Sequence, residues 1–318
     1  MATITTSAAQ QRSIEANLLT RKQRSLWQDA WWRLRRNKAA MLGLGIIALT
    51  AFLAIFAQVI APYDPTAQDT KANNMDPFWV NSIYHSSKYV LGSDELGRDI
   101  LSRLIWSTRI SLIVGLVPTA IVFSIGVTLG LVAGYVGGWL DNLLMRFTDI
   151  IYAFPDLLFV IIIMATLRST WLGDLMGGLV LIFVALAVVN WVGLARLVRG
   201  QVLSLKEKEF IEAARATGVP TKRILIRHLF PNALAPVIVS LAFAIPGAML
   251  AESVLSFLGI GIRPPTATWG VMINEGFTVF SQSPWPVLLP AVCISIVMLA
   301  FTFLGDGLRD ALDPRMKI

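Results

Sequence analysis

Six apolar segments separated by polar stretches divide this chain. They cover residues 39–63, 110–139, 143–167, 175–194, 233–262 and 285–305, and each reaches the ~20 residues that a helix needs to cross a bilayer. Only helices and closed barrels satisfy their backbone hydrogen bonds in lipid, and segments of this length indicate helices. The pattern therefore predicts an all-α polytopic membrane protein with six transmembrane helices, in which residues 39–318 form one transmembrane domain.

The polar N-terminal region, residues 1–38, contains a second kind of pattern. In RKQRSLWQDAWWRLRRNK, the residues Trp27, Trp31 and Leu34 recur at helical spacing, and arginines occupy the other side. Such a helix favours the headgroup layer of a membrane, so we expect an interfacial amphipathic helix before the first span. A solvated basic tail is the alternative interpretation.

Composition and charge agree with a membrane protein and give it an orientation. The chain is 55% hydrophobic and only 15% charged, with a formal net charge of +7. The basic N-terminal region, the cations of the polar segment 204–232 and the basic C-terminal tail fall on one side of a six-span topology. The positive-inside rule then places both termini and this segment in the cytoplasm and the long loop 64–109 outside. The positive charge thus predicts contact with the lipid bilayer and no nucleic-acid partner.

The polar segment 204–232, SLKEKEFIEAARATGVPTKRILIRHLFPN, is too charged to lie in lipid and too regular to be an unstructured loop. Ser204 and Glu207 form a capping-box pair that predicts a helix start. Gly218 predicts its end, and Pro220 the start of a second, basic helix. Helical spacing places four residues on one face, which we expect to dock against another protein: Phe210, Ala213, Ala214 and Thr217.

Polar and small residues inside the apolar segments are the remaining candidates for function. Four polar residues lie in or near spans, where they either line a pathway or form hydrogen bonds within the helix bundle: Asp149, Asp156, Asn190 and Glu252. Three glycines repeat every four residues in the second span and predict close packing against another helix: Gly126, Gly130 and Gly134. The sequence contains no GxxxxGK[ST] P-loop and no HExxH zinc motif, so we expect no ATP, metal or catalytic site in this chain.

Glu212-Ala213-Ala214, followed by Gly218 and later by Pro231, resembles the EAA loop of the permease subunits of bacterial ABC importers. LGSDELGRDILSRLIWSTRISLIVGL at 91–116, ESVLSFLGIGIRPPTATWG at 252–270 and GDGLRDALDPR at 305–315 are similar to the dipeptide/oligopeptide/nickel branch, and within it to the second, "C"-type, permease. The segment before the closing proline, His228-Leu229-Phe230, departs from the family's frequent Ile and Leu but keeps its apolar character.

This resemblance implies the type I importer permease fold and a place in a larger assembly in the bacterial inner membrane. A homologous sister permease, two cytoplasmic ATPase subunits that bind ATP and Mg²⁺, and an extracytoplasmic substrate-binding protein are the implied partners. The segment 204–232 would be the coupling loop, in which Glu212, Arg215 and Gly218 join the residues of the docking face. Peptides are the expected substrates. A secondary transporter with an acidic ion site, or a membrane scaffold without transport activity, remain the alternatives from the residues alone.

Overall fold

The computed structural model of the chain describes residues 26–80 and 88–313. The elements of these ranges are helical, and their β-structure is a single bridge between Ser93 and Asp99. We number the α-helices in chain order: α1 Leu26–Arg36, α2 Lys38–Ile55, α3 Ala57–Ile60, α4 Ile100–Val136, α5 Gly138–Tyr152, α6 Asp156–Leu167, α7 Trp171–Asp174, α8 Leu179–Leu205, α9 Glu209–Ala216, α10 Thr221–Arg223, α11 Phe230–Phe257, α12 Trp269–Phe277 and α13 Trp285–Leu312. A 3₁₀ turn, Leu175–Gly178, precedes α8, and a π-helical turn, Ile224–Leu229, joins α10 to α11.

Five helical segments of the described ranges are long and apolar enough to cross a membrane, and a bent pair supplies a sixth crossing. The five are α2, α4, α7 with α8, α10 with α11, and α13, while α5 and α6 reach the required length together across a bend of 82°. The bent pair has to be one crossing, because α4 ends beside α9 whereas α8 begins at the opposite end of the bundle. The predicted all-α fold with six spans is therefore confirmed.

Both ends of the described chain lie at one end of the bundle. Ala30 and Leu34 of α1 pack with Ala311 of α13, and the Arg33 guanidinium donates a hydrogen bond to the Asp313 carbonyl at 3.4 Å. The helix α9 belongs to the same end, because Gln201 just before it lies with Trp27 and Asp313 around one cavity. The described loop residues 61–80 and 88–99, α12 and the segment after α11 form the opposite end.

Three glycines bring α4 and α8 into close contact. A β-carbon on Gly130 would lie 2.6 Å from the Ala195 carbonyl oxygen, and one on Gly126 or Gly134 would lie within 3 Å of a side chain of α8. The glycines thus let the α4 backbone touch α8, and the side chains around them form an apolar cluster with Trp191, Val198 and Val202. Small residues permit this approach in membrane helices, where lipid offers no competing hydrophobic force.

A buried ion network closes the opposite end of the bundle. The Asp94 carboxylate accepts from Arg98 at 2.7 Å and from Arg103 at 2.5 Å. Arg98 also donates to Glu275 of α12 at 2.7 Å, and Arg103 forms an ion pair with Glu275 at 2.8 Å. Asp99 caps α4 by accepting from the Ser102 backbone N–H at 2.8 Å. Because the two acids Asp94 and Glu275 lie beside the two arginines, these four charges neutralise one another, and the network ties the loop to α4 and α12.

An exposed ion pair and side-chain hydrogen bonds to turns stabilise other described residues of this loop. The Lys88 ammonium donates a hydrogen bond to Asp69 at 2.9 Å, which lowers the pKa of the Asp69 carboxyl. Hydrogen bonds from the Thr66 hydroxyl and backbone N–H lower the pKa of Asp64 in the same way. Both carboxylates therefore stay charged throughout the neutral range and hold the loop in its turns.

The observed helices differ from the predicted segments in several places. The predicted loop 64–109 ends early, because the Asp99 cap starts α4 at Ile100 rather than at residue 110. The predicted third span, 143–167, is two helices, since Pro155 cannot donate a backbone hydrogen bond and the chain bends there. The fifth span ends at Phe257 instead of residue 262, and Gly259, two residues after Phe257, has a positive φ of 76°. The fourth and sixth helices continue past their apolar segments, to Leu205 and Leu312.

We predict that Gly130→Ala destabilises the protein by about 1–3 kcal/mol, because the added methyl group forces the α4 and α8 backbones apart. The unfolding temperature of the detergent-solubilised protein, followed by loss of its monodisperse chromatographic peak, measures the effect. Gly200→Ala on α8 is the matched control, since its β-carbon would meet no atom within 4 Å. An equal unfolding temperature for both variants would contradict the close α4–α8 contact.

Candidate functional site

The helix α9 projects from the bundle between α8 and α10 and is held by two inward side chains. Ile211 is completely buried and Ala214 nearly so, and both belong to the apolar cluster that contains Val198 and Val202 of α8. The same cluster includes Ile224 and Leu229 of the π-helical turn. A helix of eight residues is too short to be stable alone in water, so this packing is what holds α9 in place.

The end of α9 has the hydrogen bonds of a Schellman motif. The Val219 N–H donates to the Ala214 carbonyl and the Gly218 N–H to the Arg215 carbonyl, each at 3.0 Å. Gly218 has a φ of 73°, in the left-handed region that favours glycine. The predicted helix end at Gly218 and restart after Pro220 are confirmed.

The predicted start of this helix at Ser204 is wrong. Ser204 and Leu205 still belong to α8, and α9 begins at Glu209 after Lys208 in an extended conformation. The capping-box pattern was misleading because the α8 helix, held by its contact with α4, continues through it. A local cap preference is weaker than the packing of a long helix.

The residues of the predicted docking face do not all lie on one side of α9 in the structure. Phe210, Ala213 and Thr217 are exposed, together with Glu212 and Gly218, whereas Ala214 points into the cluster of its own chain. Ala214 therefore does not share the outward surface with Ala213. Sequence reasoning overlooked Ile211, although its three-residue spacing to Ala214 marks the buried side of α9.

The two charged residues at the centre of α9 differ in their contacts. The Arg215 guanidinium carbon lies over the ring of Tyr135 on α4, 5.2 Å from its centroid. This is within the ~6 Å of a cation–π contact. Within the described ranges the Glu212 carboxylate takes part in no ion pair, and it faces solvent. Arg215 thus helps to fasten α9 to α4, while Glu212 remains available to a partner.

A cavity of about 290 Å³ lies between α4, α8 and α11. Its polar lining consists of Thr119 on α4, Asn190 on α8 and Ser240 on α11. The remaining lining is apolar and includes two glycines, Gly193 and Gly247, whose β-carbons would meet no atom within 4 Å. Among the described residues around the cavity, none carries an ionisable side chain.

The four candidate polar residues are not brought together, and Asn190 alone lines the cavity. Glu252 does not line the cavity but is fully buried near the end of α11, where its Oε1 atom accepts from Ser256 at 2.6 Å and from Thr268 at 2.7 Å. Asp156 lies exposed at the start of α6, and the described residues offer its carboxylate no ion pair. These contacts match the interpretation of Glu252 as a residue that holds the bundle together.

Asp149 is one of two acidic residues of α5 that form ion pairs with arginines of α8. Its carboxylate accepts from Arg196 at 2.8 Å in an exposed pair, which contributes about 0–1 kcal/mol. The second acid, Asp141, is buried and accepts two hydrogen bonds from Arg199, at 2.6 and 2.7 Å. Sequence reasoning did not single out Asp141, because residues 58 positions apart leave no local signal.

These features define a multi-pass membrane transport subunit, with a cavity between α4, α8 and α11 and a short helix, α9, that projects from the bundle. The chain belongs to the family described as "Binding-protein-dependent transport system inner membrane component", whose model matches residues 126–318. A second model, "N-terminal TM domain of oligopeptide transport permease C", matches residues 25–77. The protein is therefore an inner-membrane component of such a transport system.

Curated relatives cover nearly the whole chain. The "Dipeptide transport system permease protein DppC" of Bacillus subtilis is 43% identical over 310 residues, which are 97% of this chain and 92% of the relative. The "Oligopeptide transport system permease protein OppC" of Haemophilus influenzae is 44% identical over 92% of this chain and 89% of its own. The "Glutathione transport system permease protein GsiD" of Pectobacterium atrosepticum is 39% identical over 92% of this chain and 93% of its own.

We predict that Ile211→Ala loosens α9 and lowers stability by about 2–5 kcal/mol, as expected when a fully buried side chain is truncated. Limited proteolysis at the basic residues around α9 should become faster, and the unfolding temperature should fall. Phe210→Ala is the matched control, because Phe210 is 42% exposed and adjacent in sequence. Equal proteolysis of both variants would show that α9 is not anchored through Ile211.

Proposed function

We propose that this chain is one of two permease subunits of an ATP-driven importer of di- or oligopeptides. It would form one half of the pathway and receive mechanical work from a separate ATPase through α9. The observation that carries the proposal is the connectivity: α9 links α8 directly to the helix that continues into α11, and these two helices line the cavity. A movement of α9 is thereby transmitted to two of the three cavity walls.

The orientation follows from charge. The end of the bundle that holds α1, α9 and the end of α13 carries the basic N-terminal residues and the cations of the segment 204–232. By the positive-inside rule this end faces the cytoplasm, where both termini would then lie. Trp27, Trp31 and Trp32 of α1 are exposed, as a helix in the headgroup layer requires.

The partners follow from what the described chain lacks and what it exposes. The sequence has no P-loop, so ATP and Mg²⁺ would be bound by two cytoplasmic ATPase subunits, one of them against Phe210, Ala213, Thr217 and Glu212. The cavity is bounded on three sides by this chain's own helices, and a homologous sister permease would close it. An extracytoplasmic binding protein would deliver substrate at the end that carries α12 and the described loop residues 61–80 and 88–99.

In this mechanism α9 acts as a rigid lever. Its anchors, Ile211, Ala214 and Arg215, fix it to α4, α8 and the π-helical turn, so that a pull on its outer face displaces the helices rather than the loop. ATP binding would draw the two ATPase subunits together and turn the permease pair outward, and hydrolysis would let it return. Docking of the small outer face would depend on shape, since an exposed ion pair at Glu212 would contribute only about 0–1 kcal/mol.

The secondary-transport alternative has less support. It needs an accessible acidic ion site in the pathway, whereas Glu252 is sealed among its hydrogen-bond donors and Asp156 lies apart from the cavity. A scaffold without transport activity would need no cavity between its spans. Membership of a binding-protein-dependent transport family agrees with neither alternative.

We predict that Ala213→Trp abolishes ATP-dependent peptide uptake while the protein still inserts and folds, because the bulky ring projects from the outer face of α9 without touching its anchors. Uptake of labelled peptide by cells that express the whole transporter, normalised to permease level, is the measurement. Ala213→Ser is the control of similar size to the original residue and should import normally. Normal uptake by the Ala213→Trp protein would rule out docking through this face.

We also predict that Gly247→Leu blocks uptake by filling the cavity without disturbing the fold, since a side chain there meets open space. Gly200→Leu is the matched control: its β-carbon is equally unobstructed, but Gly200 does not line the cavity. Both variants should unfold at the wild-type temperature, and only Gly247→Leu should lose import. Undiminished import by this variant would place the pathway elsewhere.

A further inference from the structure

The cavity between α4, α8 and α11 has a definite hydrogen-bonding character. The side-chain amide nitrogen of Asn190 donates to the Leu186 carbonyl at 2.7 Å. A carbonyl oxygen can only accept, so this contact uses one of the two N–H groups of the amide, and the described residues offer no partner to the Asn190 Oδ1 atom. Asn190 is exposed within a buried stretch of α8 and lines the cavity. Its Oδ1 atom is therefore an available acceptor in the cavity, beside the second N–H of the same amide.

Thr119, on the α4 wall of the cavity, also offers a hydrogen-bond acceptor. Its hydroxyl donates to the Gly115 carbonyl at 2.7 Å, which uses its one proton, so the hydroxyl oxygen can only accept a further hydrogen bond. Ser240 is the third polar side chain in the lining. Two of the three polar groups thus offer acceptors, and the described lining carries no charge of either sign.

We propose that Asn190 is a specificity-determining residue, whose Oδ1 atom accepts a hydrogen bond from the amide N–H or ammonium groups of a passing peptide. This inference rests on the proposed function and deepens it. Every peptide bears N–H donors whatever its side chains, so an uncharged acceptor recognises the class without selecting a member. The open space at Gly193 and Gly247 leaves room for side chains of different size. Selection by charge is then left to other parts of the transporter.

The proposal predicts that a charge placed here creates a selectivity that the wild type lacks. In Asn190→Asp both side-chain oxygens are repelled by the Leu186 carbonyl, so the carboxylate has to turn into the cavity. We expect the ratio of Ala-Lys-Ala to Ala-Glu-Ala uptake to rise about tenfold over wild type, equivalent to about 1.4 kcal/mol. Asn190→Leu should instead slow Ala-Lys-Ala, Ala-Ala-Ala and Ala-Glu-Ala uptake by the same factor.

The complete transporter, reconstituted in proteoliposomes with its binding protein, is the system to measure. The same binding protein serves every variant, so its own preference cancels when each variant's ratio is divided by that of wild type. Asn232→Asp is the matched control, because the Asn232 amide makes the same kind of contact, to the His228 carbonyl at 2.6 Å, outside the cavity. Asn232→Asp should leave the ratio of Ala-Lys-Ala to Ala-Glu-Ala uptake unchanged, even if it alters the overall rate of uptake.

An unchanged ratio for Asn190→Asp, or an equal change for Asn232→Asp, would overturn the proposal. If Asn190→Asp does not reach the membrane, Ser240→Asp tests the same cavity from α11 and should also raise the ratio of Ala-Lys-Ala to Ala-Glu-Ala uptake. An unchanged ratio for Ser240→Asp would likewise overturn the proposal. A wild-type transporter that imports no peptide would overturn the proposed function itself. Normal wild-type import without a charge effect would overturn this inference alone.

Discussion

The close contact between α4 and α8 is the constraint on which the rest of the structure depends. Gly126, Gly130 and Gly134 remove the side chains that would separate the two backbones. The contact supplies two walls of the cavity, and the apolar cluster around it also receives Ile211 and Ala214 of α9. In lipid, where apolar surface gains nothing from leaving the solvent, such shape-matched packing provides much of the attraction between helices.

The anchoring of α9 and the lining of the cavity involve the same helices but different physical interactions. The helix α9 is joined to the bundle by burial of Ile211 and Ala214 and by the contact of Arg215 with Tyr135, all of which resist displacement. The cavity, in contrast, offers a few weak acceptors and open space. A permease has to release what it admits, and a lining without charge holds a solute only weakly. One chain therefore combines a firmly anchored α9 with an uncharged cavity lining.

Charged residues are concentrated away from the cavity. Asp94, Arg98, Arg103 and Glu275 neutralise one another at the end of the bundle that carries the long loop, and Asp141 pairs with Arg199 where α5 meets α8. Burying a lone charge in this environment would be costly, whereas matched pairs fix the relative positions of separate segments. The ions thus define the frame of the bundle.

The sequence by itself determined the apolar spans, the glycine repeat, the polar segment that contains α9 and its end at Gly218, because these depend on local periodicity and backbone preference. Only the tertiary structure decided that α8 continues through Ser204, that Ala214 faces inward while Ala213 faces outward, and that Asn190 lines a cavity from which Glu252 is excluded. Those outcomes depend on contacts between residues far apart in sequence. A side chain's environment is set by the helices packed around it, and spacing along one helix cannot reveal which of them will be neighbours.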